Sequence, residues 1–458
     1  MESNFERLDA YQIGKLIKEN KLNPLTLLEF FIDMYKKSKK DTQNSFCDYF
    51  IKNAYKEAEL SRKRQINDSR LSIFDGIPTG WKDVIDIEGC PAYAGSKIIK
   101  KIRFNGKVKD AEIVRNAKSK GIISLGKTST VEFAFGGLGI NNSCSYPSNQ
   151  MISGNYCPGG SSSGSAAAVY SGLIPFSIGT DTAGSVRIPS AWHSLIGFKP
   201  TYASISCKGI LPLSKSYDTV GTICKSVRDT KILFNLLSNN NYKYPDISNK
   251  KIVLGFVEDF TFDSMLVKDK EAFLELIEYL SKIGVKVKKI KIPEFKKIND
   301  LIHSKGSIVN YEAWNYWRSV IVKNLANIDR NVSSRFALGR NIDNLQIKKI
   351  KREIMGLKKR VYAKFDGIDS FFMPTLGFKP PSIREMSNEK KYIKYNTLAL
   401  NSTRIANIFN LCAITMPIKK GNWLSFSLLQ KENYDVKLLC LAALLEIKIK
   451  KNRINVLN

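Results

Sequence analysis

The sequence predicts an α/β protein with a large mixed, mostly parallel central sheet covered by helices on both faces. Three observations point there. Residues 251–257 (KIVLGFV) form a strand-like apolar run, 269–283 carry helical periodicity and 285–290 (VKVKKI) alternate, which makes one β-α-β unit. Residues 110–127 repeat the helix-then-strand order: Ile113, Val114 and Ala117 share a face, Lys120-Gly121 stops the helix, and an apolar run starts at Ile122. Leu173 to Gly179 is a third short apolar run, bounded by glycines as a buried strand would be.

Length and composition suit such a fold. The 458 residues are 43% hydrophobic and 25% charged, the balance of an ordinary globular protein with a sizeable core. We expect one domain over residues 1–458. Its parts would be N-terminal helices (1–65), a core (70–235), a variable helical and βα region (250–365), and late core strands with a C-terminal helix (366–446). No internal repeat is present. The 72 Lys and Arg outnumber the 42 Asp and Glu, for a formal charge of +30. Those lysines are scattered among Ile and Asn without an aromatic-interleaved basic motif, so the excess reads as compositional bias rather than a nucleic-acid face. Eight cysteines lack C-x-x-C or metal-like spacing and read as reduced thiols, and no metal or cofactor is expected. The start MESNFER has no basic region leading into an apolar core, and residues 438–445 are too short an apolar run to span a bilayer. A cytoplasmic protein without membrane contact is the expectation.

In chain order, Leu8, Ile13, Leu16 and Ile17, then Leu25, Leu27, Leu28, Phe31 and Ile32, mark two packing helices, the second started by Asn23-Pro24. Residues 54–64 are a third. A Gly76-Ile-Pro turn then leads to Lys82, followed by a short β-type run, Asp83-Val-Ile-Asp-Ile87. Burial there would disfavour the charged ammonium and lower its pKa, and a neutral lysine can act as a base.

Two hydroxyl-rich turns flank the apolar run at 173–179. Residues 159–165 (GGSSSGS) combine glycines, which reach positive φ, with serines that cap helices, and the helix formers at 165–169 follow. Residues 181–185 (DTAGS) come at the end of a strand, where a glycine-flanked turn points a side-chain oxygen and several backbone N–H groups at one spot. Read alone, the first turn suits a phosphate nest or a polar linker equally well.

Together the motifs GGSSSGSAAAV, TDTAGSVRIPSA and GFKPT, with GIPTGWKD upstream, resemble the amidase signature family. The resemblance reaches from near the N-terminus to about residue 446. It implies Lys82 as base, Ser161 as proton relay after a cis Gly160–Ser161 bond, and Ser185 as nucleophile. An oxyanion hole would be formed by the backbone of Thr182, Ala183, Gly184 and Ser185, with Ser162, Asp181 and Arg187 in support. The EFAFGGLG segment at 132–139 matches the family too, and Glu132 would hold the site's loops. Gly209-Ile-Leu-Pro212 and Asp218-Thr-Val-Gly221 match its return segment and read as scaffold. Residues 297–365 are expected to be helices that shape the substrate pocket, with no assignable residue. Only His193 and His303 are available for a histidine triad, and neither stands in a nucleophile-elbow context.

Three departures stand out: Ala183 replaces a frequent glycine, Ser163 replaces another, and Trp192-His193-Ser194 replaces small residues. The leading reading is an amidase releasing ammonia from a small-molecule amide, with a homodimer left open. The second is the A subunit of a tRNA-dependent glutamine amidotransferase, the one reading that brings in nucleic acid, although Arg187-Ile-Pro lacks the glutamine expected there. The third is an allophanate hydrolase.

Overall fold

The computed structural model describes residues 4–455 other than 105 and 420, with side chains as far as residue 449. Its strands are Phe46–Tyr49 (β1), Pro78–Lys82 (β2), Ile123–Thr128 (β3), Phe176–Asp181 (β4), Ile196–Lys199 (β5), Thr219–Cys224 (β6), Ile252–Val257 (β7), Val285–Ile290 (β8), Ser370–Pro374 (β9), Cys412–Pro417 (β10) and Ser425–Gln430 (β11). They form one 11-stranded sheet in the order β1-β3-β2-β4-β6-β5-β10-β11-β9-β7-β8.

The sheet is mixed and helix-covered as expected, with one correction to its direction. Four pairings are parallel, β2–β3, β2–β4, β7–β8 and β7–β9. The other six are antiparallel. The β-α-β units legible in the sequence build the flanks. The centre is built from strands that return within the sheet, such as the β10–β11 hairpin, whose register runs from Cys412↔Gln430 to Pro417↔Ser425.

Strands β2, β3, β4 and β6 are buried along their whole length, which requires cover on both faces. The edge strand β8 is different: it buries Val285 and exposes Lys286, Lys288 and Lys289, charges that discourage pairing with another chain.

The N-terminal helices fall at Ala10–Lys18 and Pro24–Lys37, the first closed by a reciprocal cap between Asp9 and Gln12. A third spans Ile51–Ile66. Helix Val267–Lys282 fills the β7-to-β8 crossover, and four helices, Pro293–Lys305, Ile308–Asn324, Arg330–Arg340 and Asn344–Ala363, follow in the variable region. No helix among the described residues is long and apolar enough to cross a membrane.

Two local expectations shift. The strand beside Lys82 precedes it instead of following it: Val84 N–H and Ile85 N–H both return to the Lys82 carbonyl, and the Asp83 carboxylate accepts the N–H groups of Tyr93 and Gly95. The chain therefore turns at 83–84, Ile85 and Ile87 make only isolated antiparallel bridges to Ile210 and Cys90, and Lys82 sits at the end of a central strand. The run at 173–179 becomes strand only from Phe176, because Leu173, Ile174 and Pro175 make the turn into it.

Helix Ser163–Tyr170 lies directly on the loop that follows β3. Gly164 N–H donates to the Ser129 carbonyl (3.0 Å), and a Cβ at Gly164 would stand 2.2 Å from Ser45 O and 2.5 Å from Ser129 N. Those contacts are backbone and cannot swing aside. Gly164→Ala should cost about 1–3 kcal/mol of stability or more, read as a fall in thermal midpoint; an unchanged midpoint would show that the helix does not need this close approach.

Candidate active site

The sheet register sets the first part of the site. Gly80 and Trp81 of β2 pair with Ser177 and Ile178 of β4, so Lys82 and Thr180 come out side by side at the same end of the sheet. The side chain of Lys82 is fully buried. Its Nζ lies 2.7 Å from Ser161 Oγ, 2.8 Å from Thr180 Oγ1 and 3.2 Å from Thr180 O. Burial lowers its pKa to about 7 against the opposing pull of Asp218 and Asp181. A shift from 10.5 to about 7 corresponds to about 4–5 kcal/mol of discrimination against the ammonium.

Ser161 enters from the loop ahead of helix Ser163–Tyr170, and the Gly160–Ser161 peptide bond is cis. Its carbonyl accepts from Thr130 Oγ1 (2.9 Å) and Val131 N (3.3 Å), and its side chain is fully buried. The two serine turns are joined through backbone: Ser162 N–H donates to Ser185 O (3.1 Å). Among the described residues, Ser161 Oγ and Ser185 Oγ make no hydrogen bond with each other. The contact expected between them is therefore half made, with the lysine–serine link in place and the serine–serine link open. The Ser185 side chain stands at the second turn with little exposure.

Asp181, at the end of β4, organises that second turn. Its carboxylate accepts from Arg187 Nε (3.1 Å) and Nη2 (2.9 Å), from Gly184 N (2.8 Å) and Val186 N (3.2 Å), and from Asn407 Nδ2 (3.0 Å). Burial alone would raise the pKa of this carboxyl, but the Arg187 guanidinium and these donors hold it well below the usual carboxylate range. Gly184 has φ +124°, and a Cβ there would meet Thr403 Oγ1 at 2.0 Å, so this position needs glycine. Ala183 tolerates its methyl, and its carbonyl accepts from Thr403 Oγ1 (2.5 Å).

One expected donor is corrected by this geometry. Gly184 N–H is committed to Asp181 and is not available to an oxyanion. The N–H groups of Thr182, Ala183 and Ser185 have no acceptor among the described residues, which leaves three donors around the turn. Ser162 supports the turn through its backbone, while its hydroxyl is 3.4 Å from Thr180 O.

Glu132 is buried and ties loops together, accepting from Ser96 Oγ (2.7 Å) and Asp329 N (2.8 Å). His193 is packed under helix Arg187–Trp192, with Nδ1 3.0 Å from Pro189 O and Nε2 accepting from Gln150 N (3.2 Å). Burial lowers its pKa to about 4, so the ring is neutral at neutral pH. The Trp192-His193-Ser194 departure is thus absorbed by packing, with Trp192 fully buried. Asp218, read from sequence as scaffold, reaches the site: Thr182 Oγ1 donates to it (2.5 Å), and burial raises its pKa to about 6.

From the second turn a cavity of about 620 Å³ opens between helix Glu389–Ile408 and the helices of residues 293–363. Thr182 and Ala183 form its floor, and Tyr217, Arg335, Tyr392 and Arg404 are among its walls. Sequence reasoning missed these two arginines, because nothing local distinguishes them from the other basic residues. Another hollow, of about 570 Å³, lies among Asp9, Arg228 and Glu446, and no residue of either serine turn lines it. No group of three or more His, Cys, Asp or Glu side chains among the described residues could hold a metal.

Removing the Arg187 charge as Arg187→Met should leave Asp181 ionised and unpaired in a dry site, at a cost of about 3–5 kcal/mol. Denaturant titration would measure it. The native Asp181 carboxylate stabilises the fold above the unfolded pKa near about 4, and that contribution is lost as pH falls. The gap between wild type and variant should therefore narrow towards acid; a gap independent of pH would contradict the pairing.

Comparison with known proteins places the chain in a family. A family model described as Amidase matches residues 26–422. A 2-amino-5-chloromuconic acid deaminase from Comamonas testosteroni is 27% identical over 379 residues, 80% of this chain and 81% of that protein. The A subunit of the glutamyl-tRNA(Gln) amidotransferase from Streptococcus pneumoniae serotype 19F (strain G54) is 31% identical over 308 residues, 64% of this chain and 60% of that protein. A crystal structure described as that of an amidase shares the fold, with TM-score 0.85 and 23% identity over 96% of this chain and 100% of that one. With the family model covering most of its length, the chain belongs to the amidase family.

Proposed function

We propose that this protein hydrolyses a carboxylic acid amide to the acid and ammonia, with Ser185 as nucleophile, Ser161 as proton relay and Lys82 as base. The observation that carries the reading is the Lys82–Ser161 contact of 2.7 Å in a fully buried setting. A neutral amine has two N–H groups and one lone pair. Thr180 can accept both N–H groups through Oγ1 and O, which leaves the lone pair for the proton of Ser161.

Ser161 Oγ–H passes its proton to Lys82 and takes the proton of Ser185, whose Oγ forms a bond to the amide carbon. The serine–serine link, open here, closes when Ser185 turns towards Ser161 on substrate binding; such bonds tighten in the bound complex. Charge gathers on the carbonyl oxygen, and the N–H groups of Thr182, Ala183 and Ser185 face it; loss of one critical donor of this kind costs about 2.7–4 kcal/mol. The proton held by Lys82 returns through Ser161 to the nitrogen, the C–N bond breaks and ammonia leaves. Water then attacks the Ser185 ester, the relay takes its proton, and the acid is released with Ser185 regenerated.

Asp181 and Arg187 hold the turn, and Glu132 and Asp218 support the neighbouring loops. A second reading, the A subunit of a glutamine amidotransferase, draws on the 31% identity with such a protein. Ammonia release from simple amides by the isolated chain favours the first reading, and co-purification with tRNA and a partner protein favours the second.

Two outcomes test the mechanism. Ser185→Ala should abolish ammonia release with the thermal midpoint kept, and full activity in that variant would remove Ser185 from the chemistry. Because the base must be neutral, kcat/KM should rise with pH through about 7, where burial places Lys82, and level off above it. A limb near the ordinary lysine value of about 10.4 would show that burial does not hold Lys82 neutral.

A further inference from the structure

The cavity beyond the second turn carries positive charge that the serine chemistry does not use. Helix Arg330–Arg340 contributes Arg335 to its wall, and helix Glu389–Ile408 contributes Arg404. Neither Asp nor Glu is among the described residues that line it. Lys305, at its edge, is paired with Glu353 (2.7 Å), whereas the two arginines have no ion pair among the described residues.

Their own hydrogen bonds are sparse. The Arg335 guanidinium lies over the Phe135 ring, 4.4 Å from its centroid, and its Nε is a buried donor with no acceptor among the described residues. Arg404 Nε donates to the Leu400 carbonyl (3.1 Å), and its terminal nitrogens donate to nothing among the described residues. Burial, then the neighbouring Arg335 charge, lowers the Arg404 pKa to about 9, and burial lowers that of Arg335 as well. Two guanidiniums close enough to repel, without a protein counter-charge and with donors unspent, are costly in a half-enclosed space. A planar carboxylate accepts paired N–H bonds from such forks and offsets that cost.

We propose that Arg335 and Arg404 form a carboxylate subsite, so that the amide presented to Ser185 carries a carboxylate at its far end. The position fits, because Thr182 and Ala183 line the same cavity as the two arginines. The walls between, including Ile308, Leu338, Ile342 and Leu400, suit a short carbon chain, and about 620 Å³ is the scale of a small-molecule site. The amide half of the inference rests on the hydrolytic reading above; the anion half does not.

The test separates the two. Calorimetry on the wild-type chain with glutarate and with pentane-1,5-diol, an uncharged counterpart of the same carbon length that offers no amide to hydrolyse, should give at least tenfold tighter binding of glutarate. Arg335→Gln and Arg404→Gln should each weaken glutarate about tenfold or more, with Arg335→Lys intermediate. Equal affinity for the two ligands in the wild type, a comparison that needs no variant to fold, overturns the subsite. In turnover, the ratio of kcat/KM for glutaramate to that for butyramide should be ten or more and should fall about tenfold in each glutamine variant. A ratio near one overturns the substrate class. Glutarate binding that depends on the arginines, in a protein that hydrolyses no amide, would uphold the subsite and sink the hydrolytic reading.

Discussion

The burial of one amine is the constraint on which the rest of the site depends. Lys82 ends a central strand that is covered on both faces, and its Nζ has only Ser161 and Thr180 within bonding distance among the described residues. Its environment makes the uncharged form accessible near neutral pH. The sheet enforces this. Because β2 and β4 are paired in parallel at Gly80↔Ser177 and Trp81↔Ile178, Thr180 cannot move away from Lys82 without breaking the ladder. Helix Ser163–Tyr170 closes the other side, seated on a glycine where any side chain would strike backbone.

The second turn is rigid for a different reason. It is threaded around an ionised carboxylate, Asp181, which collects the Arg187 guanidinium, Asn407 and three backbone N–H groups, those of Gly184, Val186 and Arg187. That arrangement consumes Gly184 N–H and leaves those of Thr182, Ala183 and Ser185 without an acceptor among the described residues. One helix reads both the turn and the cavity. In Glu389–Ile408, Thr403 and Asn407 are one turn apart and hold Ala183 and Asp181, while Arg404 lines the cavity. A shift of this helix would move the floor and the wall together.

The variable helices are anchored to the same core. Glu312 on helix Ile308–Asn324 accepts from the hydroxyls of Ser214 and Ser216 and from Ser216 N. In the same loop, Leu213 N and Ser214 N donate to Asp218, which also accepts from Thr182. A chain of hydrogen bonds thus links a helix beside the cavity to the turn that carries Ser185. The positive charge in the cavity is local and has no bearing on the dispersed excess of lysine along the chain.

Local pattern suffices for much of this molecule. The first helices, the strands at 252–257 and 285–290, the two serine turns and the glycine-proline approach to Lys82 are legible because each depends on periodicity or turn chemistry within a few residues. Residues 83–87 have the pattern of a strand, but the chain turns at 83–84, where Asp83 captures N–H groups ten and twelve residues away, and only isolated bridges follow. The direction of the central strands is hidden because hairpin returns leave a weaker trace than β-α-β crossovers. Sequence alone thus determined the motif set and the residue types it offers for chemistry. Tertiary structure decided which N–H groups remain free, how dry Lys82 is, and that Arg335 and Arg404, 69 positions apart, meet in one cavity. These are matters of desolvation and long-range pairing, and both exist only once the chain has closed around them.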